Sequence, residues 1–180
     1  QKMSTNITPQ PAGTDAIYND MLKLSDDSSV VKSAHFIAAQ RKRTSQTILG
    51  LCIIVLNVLI GSSVIESITP AKAEIIIRVL SFLAASIAGI QTFFSLQKVI
   101  ECHTNSGDVY SSINRKLGLV MAEYKGETRN RADIIADYKL MRDEYLKANS
   151  DGRPCVPSDN DLRKARKGLG RKKEAEMLGK

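Results

Sequence analysis

Residues 48–65 read ILGLCIIVLNVLIGSSVI, 18 residues that carry no charge and a single amide, Asn57. A second stretch of equal length, VLSFLAASIAGIQTFFSL at 79–96, is also free of charge and follows three isoleucines at 75–77. A helix of about 20 apolar residues crosses the ~30 Å hydrocarbon layer of a membrane. The sequence therefore predicts two transmembrane helices, at about 48–65 and 75–96.

The alternative is a soluble bundle in which two central helices are buried on all sides, because such helices are also apolar throughout. The chain has 180 residues, of which 25% are charged. A domain of that size has little room to bury two such helices completely. We therefore expect the two stretches to lie in a membrane.

The segment between the two stretches, residues 66–74, is short and contains Pro70. Such a connector predicts a tight turn between antiparallel neighbours, and hence a hairpin with both chain termini on one side. Basic residues flank the outer ends of the hairpin: Arg41, Lys42 and Arg43 precede the first stretch, and Lys98 follows the second. By the positive-inside rule, both termini are predicted to be cytoplasmic.

The flanking segments are predicted to be helical as well. Ser28 or Ser29 is expected to cap a helix that continues into the membrane, and amphipathic patterns recur at 99–124 and 130–148. The run 104–108 favours a turn, but we predict that the helix continues through Gly107. The predicted fold class is an all-α membrane protein: a two-span transmembrane helical hairpin extended into a cytoplasmic helical stalk with a basic C-terminal segment. The expected divisions are a disordered N-terminus (1–14), the helical domain (15–148) and a loop with a basic C-terminal helix or tail (149–180).

Small and polar residues within the two stretches are the candidate membrane site. Ser81, Ala85 and Gly89 fall four residues apart, and such stripes let helices approach closely in lipid. They either pack within one hairpin or line a pore built from several hairpins, since polar groups at membrane depth face protein or water. The candidate residues are Asn57, Gly61, Ser81, Ala85, Gly89 and Gln91.

His35 and His103 lie at comparable distances outside the two apolar stretches, so a hairpin would bring them together near the cytoplasmic interface. They form either a pH-sensing or ligand-contacting pair or an ordinary packing contact. The three cysteines, Cys52, Cys102 and Cys155, are far apart in sequence and odd in number. The sequence therefore predicts three reduced thiols, without a disulfide or a zinc site.

The last 20 residues hold eight Lys or Arg against three Asp or Glu, which is +5 of the net charge of +7. A cytoplasmic basic segment most often lies on anionic lipid headgroups. Nucleic acid or a partner protein is the alternative, although aromatic residues for base stacking are absent from this segment. The candidate residues for lipid or partner binding are Arg163, Lys164, Arg166, Lys167, Arg171, Lys172 and Lys173.

No phosphate-binding loop, nucleophile elbow or metalloprotease motif occurs in the sequence. We therefore predict no catalytic residues, no cofactor and no metal, and a protein that is not an enzyme.

Several segments in succession resemble the SLATT domain. They are SAHFIAAQRKR, a first span that begins ILG, a short turn, a second span rich in Ser, Ala and Gly, then His103 with VYSSINRKLGLV, and the closing CVPSDNDLRKARKGLG. The resemblance implies a two-span effector of bacterial conflict systems in the inner membrane, acting as a homo-oligomer. It also implies a possible partner that is a nucleotidyltransferase, a SLOG-domain sensor or a reverse transcriptase.

Two functions follow from this resemblance. The first is an oligomeric pore-forming or membrane-disrupting effector in anti-phage defence by abortive infection, activated by a partner or by self-association. The second is a membrane anchor or scaffold that docks a cytoplasmic enzyme such as a nucleotidyltransferase or reverse transcriptase. A nucleic-acid-binding protein tethered to the membrane is a third and weaker hypothesis.

Overall fold

The computed structural model describes residues 12–61 and 70–179. These residues form α-helices α1 (Ala12–Gly61), α2 (Pro70–Phe93), α3 (Leu96–Gly126), α4 (Arg131–Asp151) and α5 (Asp159–Leu178), with a 3-10 turn at Arg153–Cys155. The described residues contain no β-strand, which confirms the all-helical class. The predicted disordered N-terminus and hairpin turn fall mostly on residues outside the described ranges and stay predictions.

Two helices are long and apolar enough to cross a membrane, one within α1 and one that begins in α2. Large apolar side chains of both are exposed: Ile54 at 60%, Val58 at 63% and Phe82 at 73%. A core helix of a soluble protein would bury such side chains. The exposure distinguishes these two helices from the core helices of the alternative prediction.

Helices α1 and α2 pack side by side through residues spaced alternately by three and four. Such spacing is the heptad pattern, in which positions a and d face the partner helix. Gln91 donates a hydrogen bond to the backbone carbonyl of Gln46 at 3.3 Å near one end of this contact. The partly or fully buried positions that follow this spacing are Lys42, Gln46, Leu49, Ile53, Leu56 and Ile60 in α1, and Ala73, Ile77, Leu80, Ala84, Ile87 and Gln91 in α2.

Helix α3 runs antiparallel to the N-terminal half of α1. The Ser28 hydroxyl donates to the backbone carbonyl of Tyr110 at 3.0 Å, and the Asn114 amide donates to the carbonyl of Ser25 at 2.9 Å. The prediction that Ser28 or Ser29 begins a helix is wrong. α1 is already helical from Ala12, and Ser28 is fully buried between α1 and α3, where its hydroxyl satisfies a carbonyl of the neighbouring helix.

Helix α4 completes a core with α1 and α3. The predicted apolar face at Ile134, Tyr138 and Met141 is buried, at 7% exposure or less. Tyr110 lies at the centre, 2% exposed, and its hydroxyl donates to Asn149 Oδ1 at 2.7 Å. The buried cluster comprises Met21, Tyr110, Ile113, Leu117, Val120, Ile134, Tyr138, Met141 and Ala148.

Helix α3 continues through Gly107, as predicted, and the structure explains the glycine by a close approach of two helices. A Cβ atom at Gly107 would lie 2.9 Å from the ring of Phe36 on α1. A break occurs instead at Ser95, between α2 and α3, where the backbone is left-handed with φ 44°. The second apolar helix therefore does not pass unbroken into α3.

Helix α5 lies along α1 in the opposite direction. Ser158 and Asp161 form a capping box at its start, in which each side chain binds the other residue's backbone N–H. Arg41 contacts Asp161 at 2.8 Å near this start, and Lys173 contacts Asp26 near the other end. The loop predicted at 149–159 is shorter than expected, because α4 continues to Asp151 and a 3-10 turn follows.

Candidate functional site

The residues predicted for the membrane site separate into two groups. Asn57, Gly61, Ser81, Ala85 and Gly89 are exposed, whereas Gln91 lies at the contact of α1 with α2. A Cβ atom at Gly61 or Gly89 would meet nothing within 4 Å.

Of the two alternatives for these residues, Asn57 and Gly61 therefore do not take part in the contact between α1 and α2 within one chain. The contact is formed mainly by Ile and Leu side chains, which offer larger apolar surfaces than Gly or Ser, and Ala84 is the small residue buried there at 8% exposure.

The exposed residues share one edge of the α1–α2 pair. In the heptads whose a and d positions form the contact, Asn57 of α1 and Ser81 of α2 both take position e. Two e positions of an antiparallel pair border the same side of the contact. Ala85 and Gly89 lie on that side too, progressively further from the contact than Ser81. We call Asn57, Ser81, Ala85 and Gly89 the small-residue edge.

His35 of α1 and His103 of α3 face one another, as predicted, with 3.2 Å between their Nδ1 atoms. They are 3% and 4% exposed. His35 also stacks on the ring of Tyr110 with 5.6 Å between ring centroids. The structure thus brings the predicted pair together inside the bundle, while its role as a pH or ligand contact stays a prediction.

Both imidazoles favour the neutral form. Burial, and secondarily repulsion from His103, lowers the pKa of His35 from 6.5 to about 4. Burial also lowers the pKa of His103, an effect that Asp161 opposes and that Lys42 and Arg41 reinforce. In two neutral rings with facing Nδ1 atoms, one nitrogen donates its proton and the other accepts it.

Cys102 and Cys155 form a disulfide with 6.1 Å between their Cα atoms. The prediction of three reduced thiols is therefore wrong, and only Cys52 is a free cysteine among the described residues. The two cysteines are 53 residues apart in sequence, and they meet because the 3-10 turn after α4 returns the chain to α3. Sequence spacing alone carries no signal for such a contact.

Cys155 also lies beside the two histidines. The ring nitrogens of His35 and His103 and the Sγ atom of Cys155 all lie within 4.8 Å of one another, and all three residues are buried. Two imidazoles and a sulfur are a ligand set that can hold a metal ion. The meeting of the two histidines was predicted, whereas the approach of Cys155 was not, because this cysteine lies on a separate turn after α4.

Asp161 is a buried carboxylate near this cluster, with a fully buried side chain. Its Oδ2 accepts hydrogen bonds from Arg41 at 2.8 Å and from the Ser158 hydroxyl at 2.6 Å. Its Oδ1 is buried and has no hydrogen-bond partner among residues 12–61 and 70–179. Its charge acts on His103, so the cluster lies in the field of an incompletely neutralised anion.

The basic residues predicted to bind lipid or a partner are exposed on α5. Because Lys173 pairs with Asp26, the end of α5 lies 22 residues before Ile48 on α1, which is about 33 Å along the helix axis. The start of α5 lies nearer, beside Arg41. The exposed basic residues are Arg163, Lys164, Arg166, Lys167, Arg171, Lys172 and Lys173.

The chain was compared with models of protein families, with curated proteins and with solved structures. No match was found in any of the three comparisons.

Proposed function

We propose that the protein crosses a membrane twice through α1 and α2, and that several copies associate through the small-residue edge to form a pore. In this proposal, the bundle of α3, α4, α5 and the N-terminal half of α1 is a cytoplasmic stalk. The observation that carries the proposal is that Asn57, Ser81, Ala85 and Gly89 are exposed beside the α1–α2 contact instead of within it.

Exposed apolar surface supports the membrane location. Phe82 is 73% exposed and Ile75 is 64% exposed, on helices long enough to cross a hydrocarbon layer. Arg78 is the charged residue next to the second apolar stretch. It pairs with Glu74, one turn nearer the N-terminus of α2. Exposure of apolar side chains to water is unfavourable in free energy, whereas exposure to lipid is not.

Polar and small residues at membrane depth support the association of copies. Exposed to lipid, the Asn57 amide would have no partner outside its own helix, and such groups usually face protein or water. Small residues at Ser81, Ala85 and Gly89 let a second pair of helices approach closely. Two helices cannot enclose a channel, so a pore built on this edge requires several copies.

The basic residues of α5 support a partner on the cytoplasmic side. Lys173 lies about 33 Å along α1 from the first apolar residue, several times the ~8 Å over which salt screens charges at physiological ionic strength. We therefore infer that the far half of α5 binds an acidic partner protein or nucleic acid instead of headgroups. Such a partner is the trigger of the pore in this proposal.

The resemblance to the SLATT domain supports the biological setting. We propose that the pore acts in the inner membrane of a bacterium, where its opening during phage infection ends growth of the infected cell. A scaffold that docks a cytoplasmic enzyme is the competing function, and the same membrane segments would then serve only as an anchor.

The test is the membrane potential of bacteria that express the protein together with its genomic neighbours under phage challenge. A voltage-sensitive dye should report rapid depolarisation with the wild type. Ala85→Leu and Gly89→Leu add bulk to the small-residue edge, so they should abolish depolarisation while insertion into the membrane persists.

The matched control is Cys52→Leu, which adds bulk at an exposed heptad g position on the opposite edge of the pair. It should depolarise cells as the wild type does. Depolarisation by well-inserted Ala85→Leu would remove the edge from the mechanism. An unchanged potential during active phage defence would reject the pore in favour of the scaffold.

A further inference from the structure

We propose that His35, His103 and Cys155 form a zinc site. The Cys102–Cys155 disulfide blocks zinc binding, and reduction of this disulfide by a dithiol permits it. The proposal does not depend on pore formation. It assigns a metal and a redox response to a cluster in the stalk, outside the apolar stretches of α1 and α2.

The geometry of the cluster fits a tetrahedral ion. In a tetrahedral zinc site with Zn–N bonds of about 2.0–2.1 Å, two nitrogen ligands lie about 3.3 Å apart. The Nδ1 atoms of His35 and His103 are 3.2 Å apart, which is close to the separation that a shared zinc ion requires. For both Nδ1 atoms to bind a metal ion, the proton on one Nδ1 has to move to Nε2 of the same ring, which leaves two neutral imidazoles with a free lone pair on each Nδ1.

The third ligand is the sulfur of Cys155. Its Sγ lies within 4.8 Å of both imidazole nitrogens, and a separation of about 3.6 Å from each is expected when zinc binds all three. The residue lies on the short 3-10 turn at 153–155, which can adjust more easily than a long helix. Three protein ligands leave a fourth position for water or for the Cys102 thiol.

The charges around the cluster favour a cation in the reduced protein. Zinc binds the thiolate of cysteine and the neutral form of histidine. The thiolate of Cys155 and the carboxylate of Asp161, whose Oδ1 has no hydrogen-bond partner among the described residues, supply two negative charges. Arg41, which pairs with Oδ2 of the same carboxylate, and Lys42, whose charge also acts on His103, oppose this attraction, so a cation is favoured only once reduction supplies the thiolate.

The disulfide closes the site because it occupies the sulfur that the metal needs. Cys102 lines an open surface cleft of about 430 Å³, whereas Cys155 is 5% exposed. A thiolate of the reductant attacks Sγ of Cys102, the Cys102–Cys155 bond breaks, and Cys155 leaves as a thiolate beside the histidines. The second thiol of the reductant then attacks the mixed disulfide. The reductant ends as a disulfide, Cys102 as a thiol, and Cys155 ligates Zn²⁺ without its proton.

Compartment chemistry gives this exchange a direction. Thiols of cytoplasmic proteins are kept reduced by dithiol systems, and persistent disulfides are rare there. With the stalk in the cytoplasm, the zinc form is the resting state. In the reverse exchange, a small-molecule disulfide takes up two electrons and ends as two thiols, while the Cys102–Cys155 bond forms and the ion is released.

The test measures Zn²⁺ binding to the full-length protein in detergent, by competition with a chromophoric chelator, before and after reduction with a dithiol. We expect one Zn²⁺ per reduced chain and none per oxidised chain. With Co²⁺ in place of Zn²⁺, a thiolate-to-cobalt charge-transfer band should appear only after reduction. Cys102→Ser removes the disulfide partner, so it should bind Zn²⁺ without any reductant.

Cys155→Ser should lose the charge-transfer band and bind Zn²⁺ more weakly by over ~100-fold, more than outer-shell substitutions cause. The matched control is Cys52→Ser, the same substitution at the exposed cysteine of α1, which should bind as the wild type does. Reduced wild type that binds no Zn²⁺, or Cys155→Ser that binds it equally well, overturns the proposal. So does a Cys102–Cys155 bond that persists in growing cells, measured by thiol alkylation after acid quenching.

Discussion

Two regions of the molecule differ in which side chains they bury. One is the α1–α2 pair, and the other is the bundle of α3, α4, α5 and the N-terminal half of α1. The pair exposes its large apolar side chains, with Phe82 at 73% and Phe93 at 82%. The bundle also exposes some apolar side chains, such as Leu119 at 68%, but it buries a central cluster around Tyr110 together with hydroxyl, imidazole and carboxylate groups that hydrogen-bond across helices. In lipid the hydrophobic effect gives little attraction between helices, so van der Waals packing of the Ile and Leu side chains at the α1–α2 contact would have to hold the pair together. In water it is the main source of stability.

The largest expected effect is the loss of an aromatic ring from the bundle. Tyr110→Ala should lower the free energy of unfolding by about 3–5 kcal/mol, because it leaves a cavity among buried residues and removes the hydrogen bond to Asn149. Phe82→Ala, a comparable truncation at an exposed position of α2, should change it by less than about 1 kcal/mol. Chemical denaturation in detergent, followed by circular dichroism, measures both. Equal losses of unfolding free energy in the two variants would mean that the exposed Phe82 contributes as much to stability as the buried Tyr110.

The second prediction separates a buried ion pair from an exposed one. Arg41→Ala leaves the buried carboxylate of Asp161 without its cation and should cost about 3 kcal/mol. Lys172→Ala removes only an exposed pair with Glu176 at 3.9 Å and should cost under about 0.5 kcal/mol. Limited proteolysis should cut Arg41→Ala first at residues 156–158, because α5 then detaches from α1. Protection of that segment in Arg41→Ala would show that other contacts hold α5.

A third prediction concerns alkaline pH. Burial, and secondarily the nearby Tyr145, raises the pKa of Tyr110 from 10.0 to about 12. Between these values the unfolded chain loses the phenol proton while the folded chain keeps it. The stabilisation is therefore complete below pH 10 and declines as pH rises to 12, by about 2.7 kcal/mol for a two-unit shift.

Tyr110→Phe provides the control for this pH effect. It loses the hydrogen bond to Asn149 at every pH, a constant cost of about 1 kcal/mol. The wild type should therefore be the more stable protein at pH 9, by about 1 kcal/mol, and the less stable one as pH approaches 12, because only the wild type has a phenol to ionise. Parallel pH profiles would show that the phenol ionises equally well in the folded protein.

The smallest predicted effect compares two glycines of one helix. Gly107→Ala places a Cβ atom 2.9 Å from the Phe36 ring and should destabilise the protein by about 1 kcal/mol. Gly118→Ala meets open space and should stabilise it by about 1 kcal/mol, the helix preference of alanine over glycine. Thermal unfolding of the two variants should therefore shift in opposite directions. Shifts of the same sign would show that Phe36 moves aside easily.

Local pattern was enough to predict the helices and several of their buried faces. The apolar stretches at 48–65 and 79–96 and the face of Ile134, Tyr138 and Met141 repeat at helical spacing, so each is visible without knowing the fold. The meeting of His35 with His103 followed from simple counting along two antiparallel helices. The predicted hairpin therefore placed this pair correctly, although it did not identify the residues of the α1–α2 contact.

Contacts made by an element outside that register could not be predicted. Cys155 reaches Cys102 through the 3-10 turn after α4, and nothing in its spacing indicates where α4 ends in space. The direction of the small-residue edge was missed for another reason. Ser81 and Ala84 are both small and only three residues apart, and the identity of the residue facing α1 depends on which heptad register the two helices adopt.

Helix α1 extends without interruption for 50 residues, about 75 Å, while the chain opposite it is interrupted at Ser95. The apolar part of α1 is therefore continuous with the bundle, whereas α2 is separated from α3 by a break in the helix. A change in the tilt of α2 relative to α3 can be taken up at the left-handed Ser95, whereas the apolar part of α1 cannot change its tilt without moving the N-terminal half that packs in the bundle.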